Sequence, residues 1–329
     1  MITPANFATF VTNINTMIGQ VYATDPVDSY YKKICTELPV QSKIWEAGWT
    51  GLMPKMRVWF GMRQPHQPNA QTYQVNMIPY ENTYEIDRFD LDDDQFGIYY
   101  RMLPDMARQA QRQPDYETRD LIEGNGVFGG SRQNGFDGLT HWNTAHPIDV
   151  YDASKGTYTN DTTGGQTVGS TTVGGAIGEV ALATIFEYGM TIKGEDGERL
   201  GVKYDTLMHP PTMRVTIELL LKSMFFAPPT WGGFAPVTSQ VGAADNPLKR
   251  LGVTPLQNDF LSSNTKYFLL DTTKPMKPFL WLNREATRTV PRINENDPNV
   301  FDRHVFQWGQ WNRKSPAWSY AFLSHRSGT

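Results

Sequence analysis

One cysteine, Cys35, occurs in 329 residues. That excludes a disulfide framework and any metal site built on cysteine pairs, and leaves a single buried thiol as the expectation. The chain also lacks GxSxG, GxxxxGK[ST] and CxxC, the spacings that mark a nucleophile elbow, a phosphate loop and a redox pair. No apolar run approaches the roughly eighteen residues a membrane helix needs. Met1–Gly19 has no basic start and is broken by polar residues, unlike a signal peptide. No membrane partner is expected, and synthesis in the cytoplasm is. Charge is sparse as well. Met1–Thr24 carry no charged side chain, and the net charge is −4. A polycation that coats DNA is excluded, because neutralising phosphates takes clustered Lys and Arg.

What is present is aromatic. Nine Trp contribute to an aromatic share of 12%, a composition that suits large contact surfaces. Apolar residues at 39% and charged residues at 19% exclude a disordered or fibrous chain. The length allows two or three compact domains, or one core with long excursions.

The remaining segments are organised around 95–123. Tyr99, Met102, Leu103, Met106 and Ala110 recur at helical spacing. Arg101/Asp105 and Asp115/Arg119 sit four apart, where opposite charges meet on a helix surface. Asp92–Asp94 suit a helix N-terminus, and Gly124 and Gly126 suit its end. Pro104 and Pro114 predict a kink near Gln113 or two abutting helices. A long helix with a thin apolar stripe reads as a spine with sheets laid against it.

Residues 1–44 read as an arm. Thr3 and Pro4 start a helix whose greasy face is Phe7, Phe10, Val11, Ile14, Ile18 and Val21. Next, Met56, Val58, Phe60 and Met62 alternate with Arg57, Trp59, Gly61 and Arg63, a strand pattern. The chain turns at Gln64–Gln71 and returns through Tyr73, Val75 and Met77. Its apolar residues are too few for a core, and a lone hairpin is marginal in water. It is expected to lie on another copy of the chain. Residues 150–178, rich in Gly and Thr, read as a surface flap. Beyond them come a helix with Leu182, Ile185, Phe186, Gly189 and Met190, a strand at Tyr204–Met208, and a helix opened by Pro210 and Pro211. Strands follow at Tyr267–Leu270, Phe279–Leu282, His304–Trp311 and Trp318–Leu323.

Three chemical patterns fall short of a site. Gly124, Gly126 and Gly129 have GxGxxG spacing but follow a helix instead of a strand. Asp90, Asp92 and Asp94 mimic a calcium loop but meet Gln95 and Arg101 where Gly and Glu belong. His141 and His146, near Asp137, form the one metal or hydrolase candidate, without the helical spacing of a zincin. No catalytic, cofactor-binding or metal-binding residues are assigned. The residues themselves point to a structural, self-associating protein and not an enzyme.

Several stretches in order resemble the Mu-like phage major head subunit (T subunit) family. They are Ile2–Asn6; Asp92–Tyr99; Phe136-Asp137-Gly138 with Trp142 and His146-Pro147; Glu195–Gly201 with Asp205-Thr206-Leu207 and Pro210-Pro211; Asn246–Lys249; Leu269–Thr272 with Lys277-Pro278-Phe279; and Gln307–Gly309 with Arg313. Two features depart from the family: Tyr151–Gly174 is longer, and Trp142 stands where Phe is usual. The resemblance implies an α+β capsid fold of the Hong Kong 97 type. It implies an N-terminal arm (1–44), an extended hairpin or E-loop (45–82), a peripheral domain (83–177 and 285–329, with spine 95–123) and an axial domain (178–284). The implied function is a shell of hexamers and pentamers around double-stranded DNA, in the virion and, during assembly, in the host cytoplasm. Implied partners are further copies, a separate scaffold protein, the portal and decoration proteins. With the sequence opening at Met1, no cleaved scaffold segment is expected. The inter-subunit contact candidates are Arg57, Trp59, Phe60, Arg63 and Tyr73 on the hairpin and Phe7 and Phe10 on the arm. A host nanocompartment shell of the same fold and a metal-dependent hydrolase are the alternatives.

Overall fold

The computed structural model describes residues 4–24, 26, 29–49, 56, 58, 61–62, 71–93, 97–124, 127–128, 131–132, 134–168, 171–223, 225–226, 244–246, 248–294 and 296–329. The principal elements are α1 (Pro4–Ala23), β1 (Cys35–Pro39), β2 (Ile44–Trp49), β3 (Gln71–Asn76), β4 (Ile78–Asp87), α2 (Ile98–Glu123), α3 (Glu179–Thr191) and β5 (Thr206–His209). They continue with α4 (Arg214–Lys222), β6 (Thr254–Gln257), β7 (Tyr267–Leu270), β8 (Phe279–Arg292), β9 (Val305–Trp318) and β10 (Ser324–Ser327).

Two four-stranded sheets carry the fold. The first has the order β1-β8-β9-β4, with β1 parallel to β8 and the other pairs antiparallel. The second has the order β6-β5-β7-β10, with β5 and β6 parallel. The second sheet is covered on both faces, which is why β5 and β7 read as unbroken apolar runs. On β7, Phe268 and Leu270 face the main core beside Trp142, Trp281 and Trp318. Tyr267 and Leu269 face a second core with Leu182, Ile185 and Phe186 of α3 and Ile217 and Leu221 of α4. This is the period-two alternation of a pleated strand spent on two cores.

The first sheet changes character along its length. Phe279–Leu282 of β8 are all buried, whereas Ala286, Arg288, Val290 and Arg292 farther along are exposed. There β9 alternates: Phe306, Trp308, Gln310 and Asn312 point inward beneath the helices. Phe306 and Trp308 join Leu103, Met106 and Ala107 of α2 and Ile14 and Ile18 of α1 in a third core. The arm helix therefore packs on the spine with the Ile14/Ile18 face that its sequence pattern marks.

The spine is one helix of 26 residues, roughly 40 Å long. Both Pro104 and Pro114 lie inside it and are buried, so of the two expected forms, one long helix or two helices meeting near Gln113, the chain adopts the first. Its N-terminus also differs from expectation. Gly97 caps it with φ 64°, no acidic residue stands in its first turn, and Asp92 belongs to a separate short helix, Arg88–Asp92. The expected Asp115/Arg119 surface pair is replaced by a buried anchor. Asp115 is 1% exposed, and its carboxylate accepts from Ser29 Oγ, Tyr30 N and Tyr31 N at 3.2, 3.0 and 2.9 Å. The Tyr30 hydroxyl donates back to the Asp115 carbonyl. Arg119 pairs with Asp120 instead, and Asp105 with Arg108.

Three further expectations are corrected. The hairpin base is β2 paired with β3; described residues 56, 58, 61 and 62 are not in a strand. The two predicted C-terminal strands are one continuous strand, β9, followed by a turn and β10, which joins the second sheet. The segment 150–178 is only in part a surface flap: 153–157 and 164–167 are exposed, but the chain between and after them enters the core. Val168 and Val173 are buried in the α3 core, and Asn160 and Thr162 are fully buried. Gly174 makes that approach feasible. At φ +118°, a Cβ there would stand 1.8 Å from the Thr162 carbonyl oxygen, which only glycine avoids. The strand β8 also runs unbroken through 284–285, and β10 ties the C-terminal segment to the second sheet.

Replacing Asp115 by Ala leaves two buried amides and a hydroxyl without their acceptor. It should lower subunit stability by about 3 kcal/mol, read as a reduced urea midpoint. Asp115→Asn, which keeps an acceptor oxygen, should cost less.

Candidate assembly surfaces

The contact residues expected from the sequence lie on the hairpin and the arm. Arg57, Trp59, Phe60 and Arg63 lie outside the described residues, and so do the side chains of Phe7 and Phe10 on α1. Their described neighbours on the hairpin are wet: Met56 is fully exposed, and Val58 and Met62 are 76% and 88% exposed. Tyr73 is a correction. It is 4% exposed, packs edge-on against Trp45 at 6.0 Å and beside Phe136 at 5.2 Å, and its hydroxyl accepts the Trp318 amide at 3.2 Å. Burial pushes its phenol well up from the ordinary value. Tyr73 therefore fastens the hairpin base to its own subunit.

The loop histidines are also interior. His141 is 1% exposed and stacks on Trp318 with centroids 3.9 Å apart and planes 9° from parallel. Its Nε2 lies 2.7 Å from Ser324 Oγ, and Nδ1 has no partner among the described residues. Asp137 bonds His146, whose Nε2 meets the His141 carbonyl at 2.9 Å. A serine–histidine pair is thus present, but the carboxylate orients the other histidine, and Ser324 is fully buried. A cavity of about 90 Å³ beside them is lined by Asp137, His146, Tyr158 and Ser319. Among the described residues no group of three His, Cys, Asp or Glu side chains is placed to hold a metal, and no helix is long and apolar enough to cross a membrane.

What these residues do is pin loops to the core. Trp142 Nε1 donates to the Ile122 carbonyl near the end of α2 at 2.8 Å. Asp161 accepts from Arg326 Nε and Nη2 at 3.2 and 2.5 Å, and that guanidinium lies 5.4 Å from the Trp142 ring. Burial alone raises the Asp161 carboxyl; Arg326 and Thr163 outweigh it and hold it below the ordinary value. The Asp161–Arg326 clamp leaves no sequence signal, since neither residue lies in a periodic pattern. Cys35 meets its expectation, buried, with its thiol pushed up to about 12 by burial.

A four-stranded sheet with a long helix packed on it, a second sheet with helices outside it, a two-stranded hairpin base and an N-terminal helix together define a tailed-phage capsid fold of the Hong Kong 97 type. The chain superposes over its full length on a subunit from the procapsid of bacteriophage JBD30 with a TM-score of 0.55 at 20% identity, covering 76% of that chain. A subunit of the JBD30 capsid gives 0.54 at 15%, covering 99% of this chain and 73% of that one. One from the mature capsid of bacteriophage PhiM1 gives 0.51 at 11%, covering 93% and 88%. Residues 9–172 and 244–328 match the family described as Mu-like prophage major head subunit gpT, and the chain belongs to that family. The major capsid protein of Escherichia phage Mu is 31% identical over 120 residues, 36% of this chain and 38% of that protein. The Mu-like prophage FluMu major head subunit of Haemophilus influenzae is 27% identical over 120 residues, 36% and 37% of the two chains. These matches span little more than a third of either relative.

The buried histidines set an acid limit on the subunit. Burial lowers His141 well below its ordinary value and His325 to about 3. Below about pH 6.5 the unfolded chain binds protons that the folded one refuses, so stability is complete above that pH and falls toward pH 3. The slope is up to about 1.4 kcal/mol per pH unit for each histidine. Urea unfolding at pH 7.5, 6 and 5 should show falling midpoints; equal midpoints would contradict the assignment.

Proposed function

We propose that this protein is the major capsid subunit of a tailed phage. Copies assemble into hexamers and pentamers that close an icosahedral shell around double-stranded DNA. The observation that carries the reading is family membership over both matched segments together with the capsid fold. The working parts follow the arm (1–44), hairpin (45–82), peripheral (83–177 and 285–329) and axial (178–284) division, with β8 and β10 as the strands that join its pieces. The site of action is the virion capsid, reached after assembly in the host cytoplasm. A scaffold protein, a portal and decoration proteins are the further partners.

The physics of the hairpin supports the reading. Met56, Val58 and Met62 are wet in the isolated subunit, and burying each against a neighbour is worth about 1.5–3 kcal/mol. Ordering and association costs consume part of this, so single contacts stay weak and exchangeable. Many such contacts in a closed shell act together and become effectively permanent. With a net charge of −4, the wall encloses DNA without gripping its phosphates.

Electron microscopy of the purified protein, alone and co-expressed with its scaffold, should show shells, tubes or six-membered rings. Persistent monomers in both preparations would contradict the reading. Replacing Met56, Val58 and Met62 together by Ser should leave a folded, soluble subunit whose shell yield falls severalfold; unchanged yield would remove the hairpin from the assembly mechanism.

A further inference from the structure

The outer part of the first sheet is a three-stranded ribbon whose two edges pair with no further strand among the described residues. There β9 lies between β4 and the distal half of β8, and β1 pairs with β8 only as far as Asn283. From Glu81 to Glu85 every residue of β4 is exposed, on both faces. The register places Glu81, Trp311 and Arg288 in one row across the ribbon, and Glu85, Gln307 and Arg292 in another. Both rows lie on the face opposite the buried Phe306, Trp308, Gln310 and Asn312.

The two edges carry opposite charge. The acidic edge, β4, has Glu81, Glu85 and Asp87 and no cation. The basic edge, distal β8, has Arg284, Arg288 and Arg292 against one carboxylate, Glu285. Neighbouring strands lie about 4.8 Å apart, so the acidic and basic columns stand roughly 10 Å from each other. That is too far for an ion pair inside one subunit. None of the three arginines makes an ion pair among the described residues; Arg288 lies 6.0 Å over the Trp311 ring. Among the described residues Glu81 accepts from the Thr83 hydroxyl alone, while Glu85 accepts from Arg303 and Gln307.

An exposed edge strand is a template for another chain, and charge on it normally serves to prevent pairing. That protection works when both edges carry the same sign, because copies then repel. Here the signs are opposite, so the edges of two copies attract. We infer that the Glu81/Glu85 edge of one subunit docks on the Arg288/Arg292 edge of a second copy, a head-to-tail contact. A contact between unlike surfaces propagates from copy to copy and closes a ring where the rotation permits. Opposed rim charges would also steer the encounter and fix its register more than they add affinity. This inference rests on the assembly reading and names the surfaces that meet.

Three variants of the full chain test it beside the wild type: Glu81→Lys with Glu85→Lys, Arg288→Glu with Arg292→Glu, and all four together. All sites are exposed, so circular dichroism should be unchanged. Sedimentation and particle counts at low salt should show each double variant losing assembled material by about tenfold, since like charges then face each other. The fourfold variant, with its signs exchanged, should recover it, and wild-type assembly rates should fall as salt screens the edges. Should a double variant lose its fold, Arg288→Gln with Arg292→Gln takes its place with the same expected loss. Wild-type yields from the double variants, or no recovery in the folded fourfold variant, would overturn the edge contact and leave the assembly reading intact. A wild type that forms no particles with or without scaffold would overturn both.

Discussion

The structure depends on one aromatic junction. Trp318 at the end of β9 is fully buried. His141 stacks on it, Phe279 of β8 and Trp142 lie beside it, and Tyr73 of the hairpin accepts its amide hydrogen. Trp142 in turn donates to Ile122 of the spine and touches Phe268 of the second sheet. Within a few ångströms the hairpin, the spine, both sheets and the 141–146 loop share one packed layer. Large rings in such a layer bury much area at little cost in side-chain entropy, and they tolerate displacement poorly. Both Asp115 and the Asp161–Arg326 clamp extend the same fastening, to the chain after the arm helix and to the C-terminal strand.

A firm centre leaves the periphery free to meet neighbours. The outer hairpin exposes Met56, Val58 and Met62, and the outer ribbon exposes two edges of opposite charge. A shell subunit needs this division. The centre must hold one shape so that each contact is presented at a fixed angle, and each contact must be weak enough to break when misplaced. Apolar contacts at the hairpin supply adhesion, and the charged edges supply direction and register.

Much of this is legible in the sequence wherever one periodicity dominates. Apolar spacing marks the arm helix, the spine and the helix at 179–191, and an unbroken apolar run marks residues 267–270. The failures share a physical cause. Pro104 and Pro114 leave one helix or two open in the sequence, and packing against the arm helix and the first sheet accompanies the single helix that forms. Asp115 looks like a surface charge because its acceptor role depends on backbone amides 84 and 85 residues away. The 150–178 segment looks like a flap because its large apolar residues are few, yet Val168 and Val173 are enough to seal the α3 core once Gly174 lets the backbone close. Contacts built on distant partners leave no pattern along the chain. The same holds for Tyr73: its period-two position is visible in the sequence, and its burial inside its own subunit is not.

The most direct test of a firm centre with assembly-competent margins is amide hydrogen exchange, compared between free subunits and closed particles. Residues 267–270 and 315–318 should exchange slowly in both states. Residues 56, 58, 61 and 62 of the outer hairpin and the outward-facing amides of 81–85 should exchange quickly in the free subunit and become protected on closure. Fast exchange at 315–318 in the free subunit, or protection of 56, 58, 61 and 62 before assembly, would contradict this account.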